Sequence, residues 1–247
     1  MNIFKADLHI HTLLSPCGIL EMSPNTIIQR AQEENLNIIG ITDHNSTRQA
    51  PLIRKLGVDK NIFVLMGAEV TSKEEAHCLC FFEKESQLEK FQKYLDRYLT
   101  NIPNDPTQFG FQVVVDEKEN IIYEEKKLLI SAINQSIDEI FDTVQNLDGI
   151  FIPAHIDKGA FSLTSQLGFI PPDIRAHALE ITKRTNLKDF ITQFNYLNKF
   201  SFIQSSDAHQ PEDIGKSYCM FSLEEPSFYE IKKALKGIEN RKVEVVQ

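Results

Sequence analysis

Six of the seven histidines in this 247-residue chain stand where an apolar, strand-like run meets a loop, and no other feature constrains the fold as tightly. Such runs end in DLHIH (Asp7, His9, His11), in TDH (Asp43, His44), in GAE (Glu69), in PAH (His155) and in SSDAH (Asp207, His209). Where strands of an α/β sheet or barrel run parallel, the loops that follow them converge on one face, so groups at strand ends meet there. Five strands then deliver imidazoles and carboxylates to one place. That donor set suits zinc, manganese or iron, and without cysteine pairs it is a poor structural zinc site. Alternate strand residues project to the same side, so His9 and His11 can hold one ion from a single strand end. A carboxylate at Glu69 or Asp207 has two oxygens and can bridge two ions, which an imidazole does not do.

Taken singly, each motif has a plainer reading. A lone HxH is weak evidence of metal, TDHN reads equally as an Asx-type turn, and His155 can be a satisfied core histidine. His77 precedes its strand, HCLCFF, and reaches the cluster only if the segment from Thr71 to Ala76 folds back over the same face. His177 has no acidic neighbour in sequence and is read as structural. The joint placement is what argues for a multinuclear metal site.

The remaining pattern predicts the α/β class. Strand candidates are Ile3–His9, Asn37–Asp43, Ile62–Val70, His77–Phe82, Gly149–His155, Ala178–Thr182, Phe200–Ser205 and Ser217–Ser222, with helical patterns between them. Ser23 caps a predicted helix with Pro24 at its first position, and Ser136 caps another with Asp138 and Glu139 in the first turn. Ile137, Ile140, Phe141, Val144 and Leu147 form a core-facing stripe there, and Phe228, Ile231, Leu235 and Ile238 repeat it near the C-terminus. The stretch at about 101–124, a turn-rich loop and then a hairpin around DEKEN, is an excursion from one domain spanning 1–247, because it lacks the apolar residues for its own core. Lys158–Asp173 reads as a second long loop, a frequent place for function.

Charge and composition narrow the partners. Lys and Arg number 26 against 35 Asp and Glu, a balance of −9 that argues against an unaided grip on a phosphate backbone. Three divalent ions would reduce it to −9 + 6 = −3. No apolar run approaches the ~18 residues of a membrane span, and MNIFKADLHIH, interrupted by Lys5 and Asp7, lacks a signal-peptide core. The four cysteines, Cys17, Cys78, Cys80 and Cys219, are then reduced thiols of a cytoplasmic protein.

In order, DLHIHT (Asp7–Thr12), ITDHN (Ile41–Asn45), GAE (Gly67–Glu69), PAH (Pro153–His155) and SSDAH (Ser205–His209) closely resemble the PHP (polymerase and histidinol phosphatase) superfamily. The resemblance runs from Asp7 to beyond His209. It implies a distorted (β/α)7 barrel with a trinuclear centre at the carboxyl face, two to three divalent ions (zinc, manganese or iron), and metal-dependent phosphoester hydrolysis. Carried over motif by motif, His9, His11, Glu69 and Asp207 hold one ion. Glu69 bridges to a second on His77 and His155, and His44 and His209 take a third. Many members complete the third position with an Asp or His soon after HxHT. This chain has Ser15-Pro16-Cys17, which leaves Cys17 either as a ligand that favours a softer ion or as a thiol packed under the loop.

The chemistry this implies is attack on phosphorus by a water that the ions acidify, with Asp207 as the catalytic residue that orients it. Arg48, Lys158, Lys183 and Arg184 are positioned to hold phosphoryl oxygens, each with the alternative of a solvated surface charge. The expected substrate is a small phosphorylated metabolite or nucleotide, with neither membrane nor nucleic acid as partner. Two other readings stay open: a non-catalytic metal-binding module that serves a partner protein, and a metal-dependent nuclease or phosphodiesterase. An amidohydrolase commonly bridges its ions with a modified lysine, and Glu69 in that role argues against one.

Overall fold

A computed structural model describes residues 1–246. The strands are β1 (Asn2–Ile10), β2 (Ile38–Ile41), β3 (Phe63–Thr71), β4 (His77–Phe82), β5 (Val113–Val115), β6 (Ile121–Glu124), β7 (Ile150–Pro153), β8 (Leu179–Glu180), β9 (Phe202–Ile203), β10 (Cys219–Leu223) and β11 (Lys242–Val245). Seven of them form one curled sheet in the order β11-β10-β1-β2-β3-β4-β7, and β8 pairs with β9 in parallel. The architecture is the distorted α/β barrel of the PHP type.

Backbone hydrogen bonds carry the curl around from β7 back to β1. Beside β7, His177 N–H donates to Phe151 O at 3.0 Å, and Ile156 N–H to Glu180 O at 2.8 Å. On the far side of β9, Ala208 N–H donates to His9 O at 3.2 Å, and His11 N–H to Ala208 O at 3.0 Å. One edge of β1 is therefore shared: β10 pairs with Asn2–Ala6, and the segment after β9 takes the carboxyl end. The two late strands predicted at Ala178–Thr182 and Phe200–Ser205 shrink to two residues each; Glu180 ends the first, and irregular backbone after the second carries Asp207.

Strand alternation sorts the core into two layers. Leu65, Leu79, Phe81, Ile150 and Ile152 pack inside the curl, while Val64, Met66, Cys78, Cys80 and Phe82 face the helices. Strands buried on both faces read as continuous apolar runs, which is why HCLCFF has no polar residue after His77. The helix Pro24–Glu33 begins as predicted, with the Ser23 side chain accepting from Thr26 N–H. Ser136 likewise caps Ile137–Asn146 in a capping box with Glu139. The C-terminal helix, Phe228–Lys236, ends at Gly237 in a left-handed conformation, so Ile238 leaves the stripe and is exposed.

The sheet is mixed. β4 runs antiparallel to both β3 and β7, with Thr71 opposite His77 and Cys78 opposite Pro153. The start of β4 thus lies beside the ends of its neighbours, and His77 joins the same face from the opposite chain direction. Gly67 permits this pairing, since a Cβ there would sit 2.2 Å from Cys80 O. The hairpin β5–β6 is anchored through Gln49, whose side chain donates to Val115 O and accepts from Val115 N–H. The long loop expected at Lys158–Asp173 contains a short helix, Leu163–Leu167, capped by Ser162. Among the described residues no helix is long and apolar enough to cross a membrane.

Candidate metal centre

Glu69, at the end of β3 and 1% exposed, sits among five imidazoles. Its Oε1 lies 2.9 Å from His77 Nδ1, 3.1 Å from His155 Nε2 and 3.3 Å from His9 Nε2. Its Oε2 lies 3.2 Å from His44 Nδ1 and 3.3 Å from His11 Nε2. Asp207 Oδ1 is 3.5 Å from both His9 and His11 Nε2 and 3.7 Å from His209 Nδ1. Eight of the nine predicted ligands therefore meet around two carboxylates. Cys17, the ninth, falls in a group with His11, His44 and His209 whose donor atoms all lie within 4.8 Å of one another.

The hydrogen-bond network assigns the imidazole tautomers, and they fit metal ions. His9 Nδ1–H donates to Glu180 Oε2 at 3.0 Å, and His209 Nδ1–H to the Asp207 carbonyl at 2.8 Å. Ser15 Oγ donates to Asp43 at 2.7 Å, so it accepts from His11 Nδ1–H at 3.0 Å. These contacts leave the Nε2 edge of each ring to the centre, where those of His9 and His11 lie 3.2 Å apart. His77 and His155 turn Nδ1 and Nε2 respectively toward Glu69, so their unpartnered Nε2 and Nδ1 lie on the far edges of the rings. His44 Nδ1 faces Glu69 Oε2 at 3.2 Å without making a hydrogen bond, and a buried nitrogen left unpaired beside a carboxylate is what a metal ion would satisfy.

Electrostatics tie the rings to the carboxylates: against the downward pull of burial, Glu180, Glu69 and Asp207 raise His9 well above the ordinary imidazole value, and Asp207 and Glu69 raise His11. Burial opposes ionisation of Glu69, but the imidazoles of His77, His9 and His44 outweigh it and hold its carboxyl well below the usual range. Burial similarly works against Asp207, and His9 and His11 more than offset it. His44 is pushed well below the ordinary imidazole value by burial and by His11, His77 and His209. His209 is lowered to about 4 by burial and by His11. Both are neutral, ligand-competent rings near pH 7.

Two strand-end residues adopt backbone conformations that L-residues rarely take: His155 at φ 30° and Asp207 at φ 54°. Such strain costs of order 1–3 kcal/mol per residue and persists where surrounding contacts impose it. Asp7 supplies part of that restraint, accepting from Ser206 N–H at 3.0 Å and Gly215 N–H at 2.8 Å. Its own pKa is raised to about 6 by burial, against which those amides work.

The predicted phosphate-binding residues separate into two groups. Lys158, Lys183 and Arg184 line a cavity of about 470 Å³ that also includes His155, Glu180 and Asp207. Lys158 Nζ lies 2.9 Å from Asp207 Oδ2. Arg48 is a correction: its guanidinium pairs with Asp96 at 2.9 Å and lies 5.1 Å over the Tyr123 ring, lining a different cleft with Pro51 and Glu89. The helix Glu85–Tyr98, which carries Asp96, holds it away from the centre. Sequence reasoning passed over Glu180, Asp43 and Ser15, which orient His9 and His11 from behind. Glu180 is the carboxylate near the end of the apolar run Ala178–Ile181, as Glu69 is near the end of β3, and that was the available signal.

A ring of imidazoles around a shared carboxylate, at the carboxyl rim of a curled α/β barrel, is a donor set of the kind that metal-dependent hydrolases use. The PHP domain model matches residues 7–158, and the chain belongs to that family. It is similar to the uncharacterized protein YqxK of Bacillus subtilis (strain 168), 26% identical over 98% of this chain and 64% of that protein. Among solved structures it is similar to the lesion-specific endonuclease PfuEndoQ of Pyrococcus furiosus, with TM-score 0.72 and 23% identity over 98% of this chain and 58% of that one. An endonuclease Q structure holding a 27-mer duplex with an abasic lesion at its active site superposes with TM-score 0.70, 22% identity and the same shares of each chain. A candidate metal-dependent phosphoesterase of Bifidobacterium adolescentis gives TM-score 0.58 and 17% identity over 83% of this chain and 88% of that one. The chain spans about three fifths of the length of YqxK and PfuEndoQ.

These likenesses correct one expectation. The negative balance of the chain argued for a small substrate and against nucleic acid, yet endonuclease Q, whose fold is similar over 58% of its chain, takes a duplex substrate. Net charge is a sum over the whole surface, whereas an approaching strand meets the local field, to which Lys158, Lys183 and Arg184 contribute beside the centre.

Proposed function

We propose that this chain is a metal-dependent phosphoesterase that cleaves a phosphodiester of a nucleic-acid strand at the Glu69–Asp207 centre. The observation that carries the reading is the cavity that joins His155 and Asp207 to Lys158, Lys183 and Arg184. Its basic side chains are exposed and placed outside the ring of ligands, where phosphates flanking the one under attack would lie. The likeness to endonuclease Q supports a polymeric substrate.

His9, His11, His44, His77, His155, His209, Glu69, Asp207 and Cys17 are the residues that would hold the ions. Bound there, the ions would acidify water and neutralise charge on phosphoryl oxygens. The protein's own groups do the positioning. Glu180 accepts from His9 Nδ1–H and Ser15 from His11 Nδ1–H, which turns the Nε2 edge of each ring toward the centre. Asp207, with one oxygen toward the imidazoles and the other toward Lys158, is placed to orient the attacking water. Lys158 can exchange that carboxylate for a non-bridging phosphoryl oxygen and stabilise the charge that develops there. Lys183 and Arg184 then hold the flanking backbone.

The test is an ion-loaded protein offered end-labelled oligonucleotides, single-stranded and duplex, intact and with an abasic site, beside p-nitrophenyl phosphate. Strand scission that disappears with chelator and in His9→Ala is expected. Hydrolysis of the monoester with every oligonucleotide left intact would overturn the proposal.

A further inference from the structure

The third position of the centre contains a residue type that the other two lack. Ligand atoms of His11, Cys17, His44 and His209 lie within 4.8 Å of one another. His44 is 3% exposed and its Nδ1 makes no hydrogen bond, although Glu69 Oε2 lies 3.2 Å away, and His209 has its Nδ1–H committed to the Asp207 carbonyl, so its Nε2 is free. His11 and His209 stack with centroids 4.1 Å apart, and His44 lies 4.6 Å from His11 by the same measure.

The loop that carries Cys17 is fixed on both sides. Ser15 Oγ donates to Asp43 at 2.7 Å and accepts from His44 N–H at 3.2 Å, and Ile19 N–H donates to His209 O at 3.2 Å. Gly18 N–H donates to Ser15 O at 2.9 Å, and a Cβ at Gly18 would meet Thr12 O at 2.3 Å, so the turn is packed too closely for another residue. The turn thereby holds the thiol beside the imidazoles before any ion arrives, and little ordering entropy remains to oppose binding. Cys17 is also the one exposed cysteine of the four; Cys78, Cys80 and Cys219 are buried.

We propose that Cys17 supplies a thiolate to an ion held with His44 and His209, which makes this position selective for zinc-type ions over manganese and magnesium. The inference rests on reading the centre as a metal site. A thiolate is a soft donor, and mixed cysteine–histidine sets favour zinc and cobalt, whereas manganese and magnesium prefer oxygen. Binding exchanges the thiol proton for the ion: the S–H bond breaks, the sulfur–metal bond forms, and the proton passes to buffer. The other two positions, built from imidazole and carboxylate alone, carry no such bias.

Cobalt(II) reports on this directly. Metal-free wild-type protein reconstituted with cobalt is expected to show an intense near-ultraviolet sulfur-to-cobalt charge-transfer band. Cys17→Ala and Cys17→Ser should lose that band, keep the weaker visible bands of the remaining sites, and bind one fewer ion per chain. Cys17→Asp should restore the ion count without the band and lower the zinc-over-manganese preference at least tenfold. Cys17 lies on an exposed turn, so circular dichroism should be unchanged in all three. Cobalt-loaded wild type without the band, or Cys17→Ala that retains it, overturns the inference. DNA cleavage by a protein lacking the band would sink this inference alone. A thiolate band in a protein that cleaves no phosphoester would sink the proposed function and leave the inference standing.

Discussion

Replacing Glu180 by Gln should weaken ion binding without touching any residue that would contact an ion. Glu180 is 3% exposed, and its Oε2 accepts both His9 Nδ1–H and His155 N–H, each at 3.0 Å. Its second oxygen lies 3.3 Å from the same His9 nitrogen. A glutamine offers one acceptor where the carboxylate offers two, and it removes the charge that makes His9 Nε2 a stronger donor. Losing such an outer-shell partner costs about 10–100-fold in metal affinity, which is about 1.4–2.7 kcal/mol. Because the ions bind the folded state only, the same amount is lost from the stability of the loaded protein. For a chain of this length it lowers Tm by about 3–10 °C. Competition with a chromophoric chelator gives the zinc affinity, and thermal scans of metal-free and loaded protein give the rest. The loaded form should lose more than the metal-free form, in which removal of a buried charge partly offsets the lost hydrogen bonds. Zinc affinity within twofold of wild type would refute the claim that Glu180 acts through His9.

Three further outcomes follow from other parts of the molecule. His177 has its pKa lowered to about 4, by burial and by Lys232 and Lys236, and its Nδ1 accepts from Phe151 N–H at 3.1 Å. The unfolded chain binds its proton near 6.5, so stability is complete above about pH 6.5 and falls by about 3 kcal/mol as pH drops toward 4; urea titrations across that range should lose this slope in His177→Gln. Gly67→Ala places a Cβ against Cys80 O and must part β3 from β4, so urea denaturation should show a loss of about 3 kcal/mol. Lys158→Gln should raise KM and lower kcat for an oligonucleotide while leaving the bound-ion count unchanged, and equal kinetics to wild type would remove Lys158 from the substrate path.

The identity of the donors was written locally. A histidine or carboxylate at a strand end declares both its chemistry and its face, so His9, His11, His44, Glu69, His155, Asp207 and His209 could be read before any coordinates. The helix caps at Ser23 and Ser136 were legible for the same reason, since capping involves only neighbours in sequence. What joins distant residues was not written that way. Strand direction placed His77: β4 runs antiparallel beside β3, and no local pattern distinguishes a parallel from an antiparallel buried strand. Arg48 followed TDHN as a substrate ligand would, and Asp96 on a later helix drew it aside. Glu180 and His9 are 171 positions apart, and only the closing of β8 and β9 against β1 turns that carboxylate onto the ring it orients. Sequence determined which side chains bring lone pairs and negative charge to the rim. Tertiary structure decided which nitrogen of His9, His11 and His209 faces inward, because a ring is oriented by whichever hydrogen-bond partner folding places behind it.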